Sequence, residues 1–376
     1  MARLFKHNAR KEPTVNILLL THFNVANHGA VLQAHALRHY LQSRGHHAVF
    51  FDNIRRAEPH SPGQLLSPFS LKSIRKKRTH NLDLQAFKPF HQTLPRTPFY
   101  ASADAVRENP PACDACVVGS DQVWNTDFHG HHLPLVFLGA FPKNALRISY
   151  AASFGRPVPE NLREEIGALL AKFDAISVRE QNTVDWVRAL ANREARWLCD
   201  PALLFPAEHY DTLLPRGKPK PKRPYVFTHF LTPDKTRSAR AVARLLRIKT
   251  IVSSRRRSLH PLDIALGVKP FIRVPEWLWR IKHARFVVTN SYHATLFSIL
   301  YKIPFATLPF KGEFAERNGR LTSVLLRLGL ENRVCDPSQP GALQAVANTP
   351  VEWETAHRRI AEWIPETRAF FQGAGL

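Results

Sequence analysis

The chain reads as an α/β protein made of two tandem Rossmann-like domains facing a cleft. Three observations predict this. VNILLL, a loop, the amphipathic stretch AVLQAHALRHYLQSRG and HAVFFDN form a βαβ opening of the kind that starts a mostly parallel sheet. A second series of alternating strand and helix patterns begins at YVFTHFL. Between the two lies AEHYDTLLPRGKPKPKRP, which combines Pro and Lys without apolar periodicity and reads as a linker. With 376 residues and 44% hydrophobic content, the chain is long enough to fill two cores.

Residues 1–14 read as a tail and 15–205 as the N-terminal domain. Val31, Leu32, Ala36, Leu37, Tyr40 and Leu41 share one stripe of the first helix, and Gly45 ends it. Residues 55–112 are basic and contain prolines, and are expected to be an irregular insertion or lid. Alternation resumes with the strands DACVVG and RISYAASFG, the helix ENLREEIGALLAKF, the short strand AISVRE and the helix NTVDWVRAL. After the linker, 206–223, residues 224–350 supply the strands YVFTHFL, KTIVSS and RFVVTN and the helices EWLWRIKHA and HATLFSILYKI. A terminal helix over 351–376 completes the chain.

The net charge of +23 is unevenly placed. Residues 215–257 hold 14 Lys or Arg against one acid, Asp234. Within them, Arg237, Arg240, Arg244 and Arg247 are spaced to share one helix face. That face is either simply solvated or attracted to an anionic partner such as a membrane surface. A nucleic-acid partner is not expected, because no recognition fold or interleaved aromatics accompany the basic residues. No apolar run is long enough to span a bilayer, and the start of the chain carries charges where a signal peptide has its apolar core. Cytoplasmic residence is expected, with a peripheral place on the inner membrane face if the basic helix binds lipid. Four cysteines are too few for a disulfide framework. Cys113 and Cys116 form C-x-x-C upstream of His129, His131 and His132, but no second motif at finger spacing follows, and no metal is expected there.

Four loops at strand ends carry the chemistry. VVGSDQVWN places Gly119, Ser120, Asp121, Gln122 and Asn125 after an apolar strand; SVRE places Arg179 and Glu180 after another. CDPALL places Asp200 at a third, and TNSYHAT places Asn290, Ser291, Tyr292, His293 and Thr295 at a fourth. Singly each has a structural explanation as a turn residue, surface pair or helix start. Together they mark the strand C-terminal ends where α/β folds bind ligands. NVANHGAVLQAHAL adds Asn27, His28 and Gly29 between a strand and a helix, where free N–H groups favour an anion or sugar. The G-x-G-x-x-G spacing of a dinucleotide site is absent.

NHGAVLQAHAL, VVGSDQVWN, ISYAASFG, ISVRE, CDPALLF and TNSYHATLFSILYKIPF, in this order, resemble the polysaccharide pyruvyl transferase family over about residues 15–335, as does the closing RNGRLTSVLLRLGLENR. The resemblance implies a glycosyltransferase-B-like pair of domains, phosphoenolpyruvate as co-substrate with no other cofactor, and a saccharide acceptor, lipid-linked or polymeric. Pyruvate would become a cyclic ketal across two sugar hydroxyls, with release of phosphate. His293 is then the expected general acid, and Asp121 or Glu180 the proton acceptor. Donor contacts are expected from the fork of Arg179, from Ser291, Tyr292 and Arg320, and from the free N–H groups at Ala294 and Thr295. Acceptor contacts are expected from Asn27, His28, Gly29, Ser120, Gln122, Asn125 and Asp200. Some relatives carry Arg two residues before the histidine, where this chain has Ser291; Lys302, Lys311 and Arg320 are the substitutes to consider. Two other functions fit the same sequence: a nucleotide-sugar glycosyltransferase, and a non-catalytic basic scaffold for polysaccharide assembly.

Overall fold

The computed structural model describes residues 14–52, 82–100, 103–129, 144–231, 236–254 and 271–376. Six strands form the N-terminal sheet: β1 (Asn16–Leu20), β2 (His47–Phe50), β3 (Ala115–Asp121), β4 (Leu146–Ala152), β5 (Ala175–Val178) and β6 (Arg196–Trp197). They are parallel, in the order β2-β1-β3-β4-β5-β6. The C-terminal sheet contains β7 (Tyr225–His229), β8 (Thr250–Ser253), β9 (Phe286–Thr289) and β10 (Phe305–Thr307), parallel in the order β10-β9-β7-β8. Every residue of β3 and β9 is buried, because both faces of a parallel sheet are covered. In each sheet the chain changes direction of winding between two adjacent strands, β1 and β3 in one and β7 and β9 in the other. The crevices beyond those strand ends are where the fold places ligands.

The helices include α1 (His28–Ser43), α2 (Arg163–Leu170), α3 (Gln181–Ala191), α4 (Thr236–Leu245), α5 (Val274–Lys282), α6 (Tyr292–Leu300), α7 (Gly319–Leu328), α8 (Ala342–Asn348) and α9 (Trp353–Gly373). Asn27 caps α1, its side chain accepting from the Gly29 N–H at 3.2 Å, and Gly45 ends the turn after it at φ +93°. One apolar core runs through both domains, joining Leu32 and Leu37 of α1 to Trp277 of α5, Phe297 of α6 and Trp363 of α9. Separate clusters fill the outer face of each sheet. α9 returns to the N-terminal domain: the Trp363 indole donates to the Trp197 carbonyl at 3.3 Å, and Thr367 Oγ1 lies 3.2 Å from the Tyr150 hydroxyl. No helix among the described residues is long and apolar enough to cross a membrane.

Three expectations need correction. The stretch 55–112 is not uniformly irregular: residues 82–91 are helical, and Phe87, Phe90 and Leu94 enter the main core. Their helical spacing is obscured in sequence by the prolines and basic residues around it. Residues 53–81 lie outside the described residues. The linker begins with a helical turn, Ala207–Asp211, whose fully buried Tyr210 donates its hydroxyl to the Ala202 carbonyl at 2.9 Å. Arg247 lies beyond the end of α4 at φ +53°, so only Arg237, Arg240 and Arg244 belong to the helix; all four are exposed.

Candidate active site where the two domains meet

The strand-end loops converge on Arg179, whose side chain has no exposure. Its Nη1 donates to Asp200 Oδ2 at 2.9 Å, Nε to Glu180 Oε1 at 3.3 Å and Nη2 to Asp121 Oδ1 at 3.4 Å. The Tyr292 ring, from the other domain, lies 4.4 Å from the guanidinium carbon. Burial works against the Arg179 charge, but Tyr292 and the carboxylates of Glu180, Asp121 and Asp200 outweigh it and raise the pKa. The fork expected to face a donor is therefore occupied by three carboxylates of the protein itself. Arg179 thus ties Asp121, Glu180 and Asp200 together.

Asp200 is the next layer. Its Oδ1 accepts from the Ala202 N–H at 2.9 Å, and Oδ2 receives Ser120 Oγ at 3.3 Å besides Arg179. His293 Nε2 stands 3.5 Å from the same oxygen. Burial would raise the Asp200 carboxyl, but His293 and Arg179 more than offset this and hold it below the usual carboxylate value. His293 occupies the first turn of α6, and its ring lies over Gly29 of α1 so closely that a Cβ there would come within 2.2 Å of Cγ and Nδ1. Gly29 is thus the close-approach residue that lets the two helix starts meet.

Asp121 ends β3 at φ +68°, a left-handed conformation that Asp tolerates better than most residues. Burial opposes its charge, yet Arg179, then His293, His22 and Arg320, hold the carboxyl well below its ordinary range. His22, just after β1, has Nε2 3.3 Å from the Gln122 carbonyl. It is a candidate the sequence reading missed, although its position at a strand end was the available signal. Gln122 lies against Arg320; with its amide oxygen toward the guanidinium it accepts from Nη2 at 2.9 Å. Arg320 is buried, and among the described residues no carboxylate reaches it within ion-pair distance. Burial first, then Arg179, push its pKa down to about 10.

Several expected contacts are placed elsewhere. The Ala294 N–H points to Ser291 Oγ at 3.4 Å and the Thr295 N–H donates to the Ser291 carbonyl at 3.0 Å, so neither is open to an anion. Ser291 caps α6 instead of facing a ligand, and the Thr295 hydroxyl lies between the Ser291 carbonyl and Thr307. His28 is an interdomain contact: Nε2 donates to the Ile272 carbonyl at 2.7 Å and the ring stacks on Trp277 with centroids 5.1 Å apart. Asn27 is the helix cap. Ser120 and Asn125 are fully buried, Ser120 donating to the Ala151 carbonyl at 2.8 Å and Asn125 accepting from the Asp127 N–H at 3.0 Å. Their density reflects a loop held together from inside. Glu180 also receives the Thr183 hydroxyl at 3.3 Å. Of the substitute cations, Lys302 is exposed just past α6 and Lys311 pairs with Asp336 at 2.9 Å; only Arg320 stands in the cluster.

The fold has wide company among solved structures. A UDP-N-acetylglucosamine 2-epimerase from Rickettsia bellii aligns with a TM-score of 0.52 at 10% identity, covering 95% of this chain and 97% of the epimerase. A UDP-N-acetylglucosamine 2-epimerase described as putative, from Listeria monocytogenes, gives 0.51 at 10% identity over 96% and 98%. An α-glucosyltransferase solved with UDP and a 13-mer DNA gives 0.50 at 9% identity over 96% and 100%. At such identities the likeness concerns the fold, which is of the glycosyltransferase-B type with parallel sheets. No curated protein matches the sequence. A sequence model for polysaccharide pyruvyl transferases matches residues 27–310, spanning the first helix, the Arg179 cluster and the His293 turn, and the chain belongs to that family.

Proposed function

We propose that the protein moves the pyruvyl group of phosphoenolpyruvate onto two hydroxyls of a sugar in an exported polysaccharide or its lipid-linked precursor. The observation that carries this reading is Arg320, a buried guanidinium that lies against Gln122 near Arg179 and, among the described residues, has no carboxylate within ion-pair distance. Such a charge is completed by an anion, and phosphoenolpyruvate brings a phosphate and a carboxylate on one small frame. Family membership supports the pyruvyl chemistry.

In this proposal His293 gives a proton to the methylene carbon while Asp200 orients the ring. The first sugar hydroxyl adds to C2, returning a proton to the site. The C2–O bond to phosphorus then breaks at carbon, and the second hydroxyl closes the ketal. One hydroxyl hydrogen ends on the new methyl group and the other on phosphate. Asp121, held ionised by its cationic neighbours, is a weak proton acceptor and suits orienting the sugar hydroxyl. Arg179 is a positioning residue. The exposed Arg237, Arg240, Arg244 and Arg247 are proposed to hold the enzyme at an anionic membrane surface, where a lipid-linked acceptor resides.

The test is incubation with phosphoenolpyruvate and a panel of carrier-linked oligosaccharides, with phosphate and ketal measured together. Acceptor-dependent release of both is expected. Release of nucleotide from a nucleotide sugar, with none of phosphate from phosphoenolpyruvate, would identify a glycosyltransferase instead. Neither product with any acceptor would favour the scaffold.

A further inference from the structure

Away from the cleft, three imidazoles meet. His35 and His39 stand one turn apart on α1, and His209 comes from the helical turn Ala207–Asp211. One ring nitrogen of each lies within 4.8 Å of the other two, and among the described residues no other group of three His, Cys, Asp or Glu is so arranged. Ring centroids are 4.1 Å apart for His35 and His39, and 5.2 Å for His39 and His209. His209 Nε2 is buried with no hydrogen-bond partner among the described residues. An orphaned buried nitrogen costs free energy and calls for an explanation.

We propose that His35, His39 and His209 form a binding site for a divalent transition-metal ion of the zinc class, with three imidazole nitrogens as ligands and a fourth position open to water. The i, i+4 pair on one helix face is a spacing that suits two imidazoles on one ion. Zinc–nitrogen bonds of about 2.0–2.1 Å in a tetrahedron bring ligand nitrogens to roughly 3.3 Å of one another. Closure from the separation here needs only small side-chain rotations. Burial, then mutual repulsion and Arg38, lower His35 to about 3, and His39 and His209 are lowered too, chiefly by burial. The rings are therefore neutral near pH 7, as ligation requires. An all-nitrogen set disfavours magnesium and calcium, which prefer oxygen.

Such an ion would tie α1 to the segment that leads from the N-terminal sheet into the linker. Gly29, beside the proposed catalytic histidine, lies ten residues from His39, roughly 15 Å along the helix. The ion therefore contributes to stability and takes no part in the transfer reaction, so the site stands or falls independently of the proposed activity.

The experiment uses untagged full-length protein stripped with chelator. Cobalt(II) titration is expected to give one equivalent with the intense visible spectrum of a four-coordinate ion, displaced by zinc(II), and zinc is expected to raise Tm. The half-buried His39→Gln and His209→Gln variants should match the parent Tm in chelator, bind cobalt at least tenfold more weakly and lose the zinc-dependent rise in Tm. A parent that binds no cobalt(II) at micromolar concentration overturns the proposal. So do variants that bind as the parent does, or binding abolished only by Cys113→Ser with Cys116→Ser.

Discussion

Gly29 and His293 belong to different domains, and the space between them admits no second side chain: a Cβ on Gly29 would stand 2.2 Å from the His293 ring. A ring that moved away would give up its 3.5 Å approach to Asp200 Oδ2. The position of the proposed acid is therefore decided by a residue that itself has no chemistry.

Gly29→Ala is expected to lower kcat at least tenfold while the protein stays folded. Gly29 lies within α1, where alanine is the better helix former, so a loss reports the collision and not the backbone. The check is phosphate release alongside Tm; a parent-like kcat would show that the ring has room to adapt.

His293→Ala is expected to lower turnover by roughly 10²- to 10⁴-fold, the usual contribution of a general acid. Circular dichroism and Tm should remain close to the parent. Near-normal kcat removes His293 from the chemistry.

The two arginines should part company. Arg320→Gln is expected to raise the KM for phosphoenolpyruvate by at least tenfold with little change in acceptor KM or stability. Arg179→Met leaves three buried carboxylates without their cation and is expected to cost about 3–5 kcal/mol in denaturant unfolding. Donor-specific loss from Arg179→Met with parent stability would reverse the assignment.

Stability should fall as pH is lowered from about 6.5, with the protein in chelator. His35 is held neutral when folded, with its pKa lowered to about 3, and His91 to about 4, in both cases mainly by burial. The unfolded chain takes up protons near 6.5, so acidification favours unfolding until the folded values are reached. Asp121 and Asp200, also lowered when folded, extend the loss below roughly pH 4 by the same sign. His35→Gln should flatten the slope between pH 6.5 and 4 in equilibrium unfolding; an unchanged slope would count against its buried neutral state.

The basic face should sediment with anionic vesicles at low salt and detach at high salt, since screening acts over a Debye length of ~8 Å. Changing Arg237, Arg240, Arg244 and Arg247 together to Gln should reduce binding yet leave activity on a soluble acceptor intact. A parent that fails to sediment, or a variant that sediments equally, leaves the face merely solvated.

The sequence by itself determined the two parallel-sheet domains and the loops that bear polar residues, because apolar runs, helical stripes and turn residues are local signals read over a few positions. It placed Asp121, Arg179, Asp200 and His293 at strand ends, where the structure gathers them. Side-chain direction was not legible. Whether Arg179 faced a ligand or its own carboxylates, and whether Ser120 pointed outward or held its loop, depended on partners supplied by other strands and strand ends. The same holds for His28, whose neighbours Ile272 and Trp277 come from the other domain. Only the tertiary structure could set Arg320 beside Gln122 and His293 over Gly29, because burial and pairing of charge are properties of chain segments brought together across the cleft, and no local pattern encodes which segments those are.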